Sequence, residues 1–279
     1  MLARLEAYTK LMRLHRPWPI LLILFSTYWG LFLGPNRPTI FEVVIFTVGV
    51  VLTRSAGCVI NDYFDRKIDG KIKRTKMRPL QLLVIKPKEA VVLFVILMAL
   101  AFCVLLFLKP IVILMGVAAF FFTLCYPLAK RFTHFPQLVL GITFNFGLLM
   151  ADLQVNGQVS LVALAYYVFA ILWTVHYDTL YALCDYEDDL KIGVKSIPTF
   201  FKDKVYTFLI WTSVFLVFLL MLAFNLSGFS IVKNMVLFIF TGFLVYQYRE
   251  LSRHGNAVGL KLFTQNVWMG FLILLGVLF

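Results

Sequence analysis

Residues 40–69 read IFEVVIFTVGVVLTRSAGCVINDYFDRKID, and this stretch decides the fold. Its first part, 40–60, is apolar apart from Glu42 near the start and Arg54 further along. A helix needs roughly 20 mostly apolar residues to cross the hydrocarbon of a bilayer, so 40–60 is predicted to span a membrane. The run then turns abruptly acidic at Asp62, Asp65 and Asp69, which puts those carboxylates at the boundary with water.

Working outward, eight more runs of similar length are bounded by charges or by Gly and Pro, near 17–34, 89–108, 110–128, 137–155, 160–183, 205–224, 229–247 and 262–279. The fifth in chain order, 137–155, is interrupted by Asn145 and Asp152, and losing it would invert everything downstream. The composition agrees with so many spans. Of 279 residues 61% are hydrophobic and 14% charged, against about 25% charged in a soluble domain. Intrinsic disorder, a disulfide-stapled secreted domain and a rod are excluded by the same figures. The expected fold is all-α, a polytopic membrane protein of about nine transmembrane helices forming a single domain over 1–279.

Net charge is +12, from 26 Lys and Arg against 14 Asp and Glu. In a soluble chain that would suggest nucleic acid, but topology explains it better, and no nucleic-acid partner is expected. With the N-terminus in the cytoplasm, that side collects 22 of the 26 basic residues, nine of them in 62–88. The other side receives only Arg37 and Lys109, while Arg54 and Lys233 fall in or at the edge of spans. This is the positive-inside pattern. Residues 1–16 are basic and amphipathic, and the run after Pro17 has no small-residue cleavage site behind it, so it reads as a retained first helix. Cys58, Cys103, Cys125 and Cys184 stand singly, with no Cys-x-x-Cys spacing, as small packing residues.

Two longer cytoplasmic segments, 61–88 and 184–204, hold most of the acids, and both carry Asp-x-x-Asp (Asp62 to Asp65, Asp185 to Asp188). They follow the second and sixth spans, the spacing of equivalent positions in two four-helix repeats followed by a ninth helix. If the second span stays helical past Val59, Arg54, Asn61, Asp65 and Asp69 share one face. Asp178, Tyr181, Asp185 and Asp189 line a similar stripe. Acids at a helix end are commonly a solvated, salt-bridged face, and an Arg54–Asp178 pair would account for the two deepest charges. Neither explains carboxylates stacked a turn apart, which repel one another unless a cation lies between them. Oxygen donors in that arrangement suit Mg²⁺, which binds through one or two carboxylates plus the phosphates of a substrate. Lys71, Lys73, Arg74, Lys76 and Arg78 follow the first acids, and Lys191 and Lys195 the second. Orientation accounts for most of these, whereas Lys130 and Arg131 share a short loop with few other charges. His134, His176 and His254 are dispersed.

Asn61-Asp62-x-x-Asp65-x-x-x-Asp69 and Asp185-x-x-Asp188-Asp189, each after an even-numbered span, resemble the two signatures of the UbiA superfamily of intramembrane aromatic prenyltransferases. Arg54-Ser-Ala-Gly-Cys58, Lys73-Arg74-Thr75, Arg78-Pro79-Leu80, Tyr126-Pro127 with Lys130-Arg131, Pro136-Gln137 and Gly193-Val194-Lys195-Ser196 look like its 4-hydroxybenzoate branch. The resemblance runs from about Arg13 through the last helix. It implies Mg²⁺-dependent transfer of a polyprenyl group from polyprenyl diphosphate to the ring carbon ortho to the hydroxyl of 4-hydroxybenzoate, in ubiquinone biosynthesis, with membrane lipid receiving the tail. By motif, Asn61, Asp65, Asp69, Asp185 and Asp189 would hold the metal, with Asp62 in support. Arg54, Lys130, Arg131 and Tyr181 would contact the diphosphate or orient the aromatic acid.

The resemblance and the charge pattern together imply a bacterial inner membrane, with the active site expected toward the cytoplasm. Homogentisate, a naphthoate, or a haem or chlorophyll precursor would be the acceptors of sister enzymes. A transporter would carry its acids near mid-membrane rather than at the rim. The sequence departs from the family at His15-Arg16-Pro17-Trp18-Pro19, where Lys-Pro-Ile-Gly is usual, at Ile197-Pro198, and at Gln81-Leu82-Leu83, which stands where small residues and Ser-Gly are usual.

Overall fold

The computed structural model describes residues 2–279, with side chains from residue 4 onward. The described residues form α-helices and short 3₁₀ turns, without strands. A short N-terminal helix, α1 (Leu2–Leu11), precedes α2 (Trp18–Phe32), α3 (Ile40–Asp65), α4 (Pro87–Leu105), α5 (Pro110–Phe132), α6 (Pro136–Asn156) and α7 (Leu161–Ala182). Two small helices, α8 (Tyr186–Ile192) and α9 (Ile197–Phe201), lead into α10 (Val205–Leu226), α11 (Ile231–His254) and α12 (Gly259–Leu278).

Seven helical stretches are long and apolar enough to cross a membrane, and one of them, Ile231–Leu278, contains both α11 and α12. The ninth apolar helix, α2, has 15 residues. At 1.5 Å per residue it measures about 22 Å, shorter than the expected span, which it enters at Trp18 behind the N-cap Pro17 and leaves at Phe32. Each expected span otherwise coincides with one helix, with ends displaced by a few residues.

Local chemistry explains the boundaries. Thr39 caps α3 in a reciprocal pair with Glu42, whose N–H donates to Thr39 Oγ1 at 3.2 Å while Glu42 Oε2 accepts from Thr39 N at 2.8 Å. Proline opens α4, α5 and α6, where its missing N–H costs nothing. The interrupting polar residues of the fifth span are satisfied within the protein. Asn145 Nδ2 donates to Gly141 O and to Thr174 Oγ1 on α7, and Asp152 accepts from Asn156 Nδ2 at 2.9 Å and Ser160 N at 2.7 Å. So α6 crosses intact, and the parity of the later helices is kept.

Consecutive helices pack as neighbours, and α12 returns to α2, which also lies against α6 and α3. At that junction Trp29 and Trp173, with ring centroids 5.4 Å apart, pack with Tyr166 and Phe169 in a fully buried aromatic cluster. The two indole N–H groups find acceptors, Trp29 at Gly270 O and Trp173 at Asn266 Oδ1. The α2–α6 contact depends on Gly30, because a Cβ there would lie 2.0 Å from Leu148 O. Backbone approach of this kind is how membrane helices gain packing energy. Gly30→Val is therefore expected to part the two helices at a cost of at least about 1–3 kcal/mol, read as a lower melting temperature or loss of the monodisperse peak in detergent.

Candidate active site

The helix of residues 40–65 is longer than a bilayer crossing requires and carries Asn61, Asp62 and Asp65 on its last turns, and a 3₁₀ turn, Asp69–Lys71, follows. On the other side α7 ends at Ala182 and tightens through 3₁₀ residues Leu183–Asp185 into α8. The second acidic stripe is thus broken between Tyr181 and Asp189 rather than continuous, yet both acid groups border one cavity of about 550 Å³. Arg54, Asn61, Asp62, Asp65, Asp69, Lys130, Asp178, Tyr181, Asp185 and Asp189 all line it. Arg131 does not. It is exposed, and its guanidinium donates to Phe64 O at 3.1 Å, tying α5 to the end of α3.

Basic side chains neutralise the acids one by one. Asp65 is nearly buried, accepts from Asn61 Nδ2 at 3.1 Å and pairs with Lys130 through the same oxygen, Oδ2. Arg78 Nη1 lies 2.6 Å from Asp69 Oδ2 and 2.9 Å from Asp62 Oδ1, and Arg13 Nη2 reaches Asp62 Oδ1 at 2.8 Å. Asp62 is therefore committed to joining the N-terminal segment and the 66–86 segment to α3. Arg74 forks onto Asp185, with Nε 2.9 Å from Oδ1, lies over the Tyr181 ring and donates to its hydroxyl. Lys73 N donates to Asp188 Oδ2 at 3.0 Å, so the 66–86 segment bridges the two acid groups. Burial would lower the Arg74 pKa, but the Tyr181 and Asp185 oxygens outweigh it and hold the group protonated.

Positive charge is still short of demand. Burial pushes the Asp69 carboxyl above its ordinary range, reinforced by Asp62 and Asp65 and opposed by Arg78. Burial, followed by the neighbouring Asp185 charge, pushes Asp189 up to about 7. Asp65 Oδ1 is buried with no hydrogen-bond partner. A buried orphan oxygen is costly, and with an all-oxygen donor set around it the site suits a hard divalent cation. Among the described residues no three His, Cys, Asp or Glu are already gathered as ligands. The carboxylates present fit such an ion once their present cationic partners are rearranged.

Deeper in the cavity, the Arg54 guanidinium lies 5.1 Å from the centroid of the Phe144 ring, with its buried Nε unpartnered. No Arg54–Asp178 ion pair within 4.0 Å occurs among the described residues, so the simplest resolution of these two charges does not apply. Tyr126, Phe144 and Tyr177 supply aromatic faces beside them. Among the cavity's basic groups, Arg13 was invisible in a basic N-terminus, and Arg74 and Arg78 were hard to separate from orienting charge. Their four-residue spacing and the motifs around them were the available signal.

Residues 23–275 match the model of the UbiA prenyltransferase family. The 4-hydroxybenzoate octaprenyltransferase of Saccharophagus degradans is 41% identical over 278 residues, covering 99% of this chain and 93% of that protein. The enzyme of the same name from Francisella tularensis subsp. mediasiatica is 39% identical over 271 residues, covering 97% and 95%. Among solved structures, a UbiA homolog from Aeropyrum pernix K1 in its apo form superposes with a TM-score of 0.81 at 24% identity, covering 92% of this chain and 96% of that one. A UbiA homolog from Archaeoglobus fulgidus bound to DMAPP and Mg²⁺ gives 0.72 at 19% identity, covering 96% and 98%. The structural likenesses carry the fold, and the family model and the relatives carry the kinship: this chain belongs to the UbiA prenyltransferase family.

Proposed function

We propose that this protein transfers a polyprenyl group from polyprenyl diphosphate to the ring carbon ortho to the hydroxyl of 4-hydroxybenzoate, releasing diphosphate, as a step of ubiquinone biosynthesis. Relatives of that name at about 40% identity over nearly the whole chain support the acceptor. The observation that carries the chemistry is the convergence of Asp65, Asp69, Asp185 and Asp189 on one cavity that continues down to Arg54, Tyr126 and Phe144.

In this reading Asn61, Asp65, Asp69, Asp185 and Asp189 hold Mg²⁺, in keeping with the homolog bound to DMAPP and Mg²⁺. When bound, the ion neutralises diphosphate and stabilises it as a leaving group. The protein's own residues do the rest. Lys130, Arg74 and Arg78 already face the acids and turn to the diphosphate oxygens as it arrives, with Tyr181 donating beside them. Breaking the allylic C–O bond leaves a carbocation, and Tyr126, Phe144 and Tyr177 offer it aromatic faces in a dry pocket. The electron-rich acceptor carbon forms the new C–C bond and its proton is then lost to solvent. Arg54 orients the acceptor carboxylate or the diphosphate with its planar fork. Asp62 and Arg131 position backbone segments rather than touching substrate.

The test is direct. Membranes holding the protein, given a labelled polyprenyl diphosphate and Mg²⁺, are expected to prenylate 4-hydroxybenzoate in preference to homogentisate or a naphthoate. Preference for another acceptor would move the protein to a sister activity.

The reading also needs both acid groups in the cytoplasm. In a chain without native cysteines, Lys76→Cys and Lys195→Cys are expected to react with an impermeant thiol reagent only when the cytoplasmic face is exposed. Arg37→Cys is expected to show the opposite pattern. Labelling of the first two from opposite faces would defeat a shared active site.

A further inference from the structure

The segment that brings Arg74 and Arg78 to the acids ends in a tight turn, residues 79–85. Leu80 and Ile85 are buried at its base, in the same apolar cluster as Ala7 and Leu11 of α1 and Ala90 and Phe94 of α4. Between them Leu82, Leu83 and Val84 stand out, 49%, 71% and 44% exposed. Leu83 has φ of +55°, the left-handed region that branched side chains avoid. A leucine there bears two penalties in water, backbone strain and an uncovered apolar side chain. Glycine would bear neither.

The surroundings say what removes the second penalty. The turn leads straight into α4, which starts at Pro87 and presents exposed Val92, Val95 and Ile96 along a membrane-spanning helix. Exposed Lys86 and Lys88 lie between the turn and that strip. Three apolar side chains continuous with a lipid-facing surface, with two lysines at headgroup level, match a bilayer interface. The turn is also tied to the site. Gln81 N and Leu82 N donate to Arg78 O at 2.9 and 3.1 Å, and Val84 N donates to Pro79 O at 3.1 Å.

We propose that Leu82, Leu83 and Val84 insert into the acyl–headgroup boundary of the leaflet on the active-site side, so that the bilayer itself holds the segment carrying Arg74 and Arg78 in place. The contact is with lipid, and its position, one residue beyond the backbone bonds to Arg78, makes it a tether for that segment.

The test uses the full-length protein, purified without native cysteines and reconstituted into nanodiscs of phosphatidylethanolamine and phosphatidylglycerol. Nitroxide labels are placed at Leu83→Cys, at Val84→Cys, and at Lys191→Cys on α8 as an aqueous reference. The ratio of oxygen to nickel-chelate collision rates is expected to be at least about threefold higher at 83 and 84 than at 191, the sign of immersion in lipid. Equal ratios at the three sites would overturn the proposal. So would a turn that is aqueous in nanodiscs yet shielded from an impermeant reagent in native membranes, because a protein partner would then be the cover. The double variant Leu82→Ser with Leu83→Gly relieves the strain and is expected to fold. In nanodiscs it should be cleaved by trypsin within residues 71–78 several-fold faster than the parent, and an unchanged rate would show that lipid does not hold the segment. Neither readout involves turnover, so the outcome is independent of the acceptor.

Discussion

Asp185→Asn is expected to lower turnover by roughly 10²–10³-fold, the loss typical when one preorganised electrostatic group is removed from a reaction that develops charge. The amide keeps the shape of the carboxylate but can neither ligate a divalent ion as strongly nor hold the Arg74 fork. Asp65→Asn is expected to act comparably, because it removes the negative charge paired with Lys130 and leaves one oxygen where the carboxylate offers two. Chelation of divalent ions should reduce the unaltered enzyme to a similar residue of activity and Mg²⁺ should restore it, whereas the Asn variants should stay low at any Mg²⁺ concentration. Melting temperature and membrane abundance are the controls. Variants that fail to accumulate would make these acids structural, and full turnover in chelator would remove the metal from the mechanism.

Arg54→Lys is expected to cost about 10–100-fold in kcat/KM, roughly 1.4–2.7 kcal/mol of transition-state stabilisation. Charge is retained in this change. The planar fork that can meet a carboxylate or diphosphate with two parallel bonds is lost, and so is the contact with the Phe144 face. The structure separates this role from simple neutralisation, since Arg54 makes no ion pair with Asp178 among the described residues and keeps a buried Nε free of partners. The double change Arg54→Leu with Asp178→Leu should therefore remain inactive. Restored activity in that variant would show that the two groups serve only to balance each other.

The spans were legible because a bilayer demands about 20 apolar residues of every crossing, and little else in a sequence satisfies that by accident. Even Asn145 and Asp152 could be tolerated without foresight of their partners, since Thr174 and Ser160 lie one helix on. The acids could be found for a related reason. Carboxylates repeated each turn at a membrane rim are too costly to be casual, so Asp65, Asp69, Asp185 and Asp189 declared themselves. Their counter-ions did not. Positive-inside bias scatters Lys and Arg over every loop on one side, so charge alone did not distinguish Arg78, which bridges Asp62 and Asp69, from Lys76, which is exposed, and only the motif around Arg78 set it apart. Arg131 shows the reverse case, a promising neighbour of Lys130 that turns to a backbone carbonyl instead. Adjacent residues on a helix differ by about 100° in direction, and with Lys130 facing the cavity Arg131 is carried out of it.

The aromatic cluster of Trp29, Tyr166, Phe169 and Trp173 has a bioenergetic consequence. A membrane that stores a proton gradient cannot tolerate an acid-lined, water-accessible cleft that runs through to the other side. The cavity's lining goes no further than Ile23 on α2, Thr53 on α3, Phe144 on α6 and Tyr177 on α7, and the Trp173 ring meets Tyr177 edge-on at 5.3 Å. Below that level the four rings are fully buried, and the far-side acids Asp152 and Glu42 are tied up locally by Asn156, Ser160, Gln154 and Thr39. The packed rings that stabilise the helix bundle thus also close the carboxylate-lined cavity at its inner end, the kind of seal an ion-tight membrane demands of such a chamber.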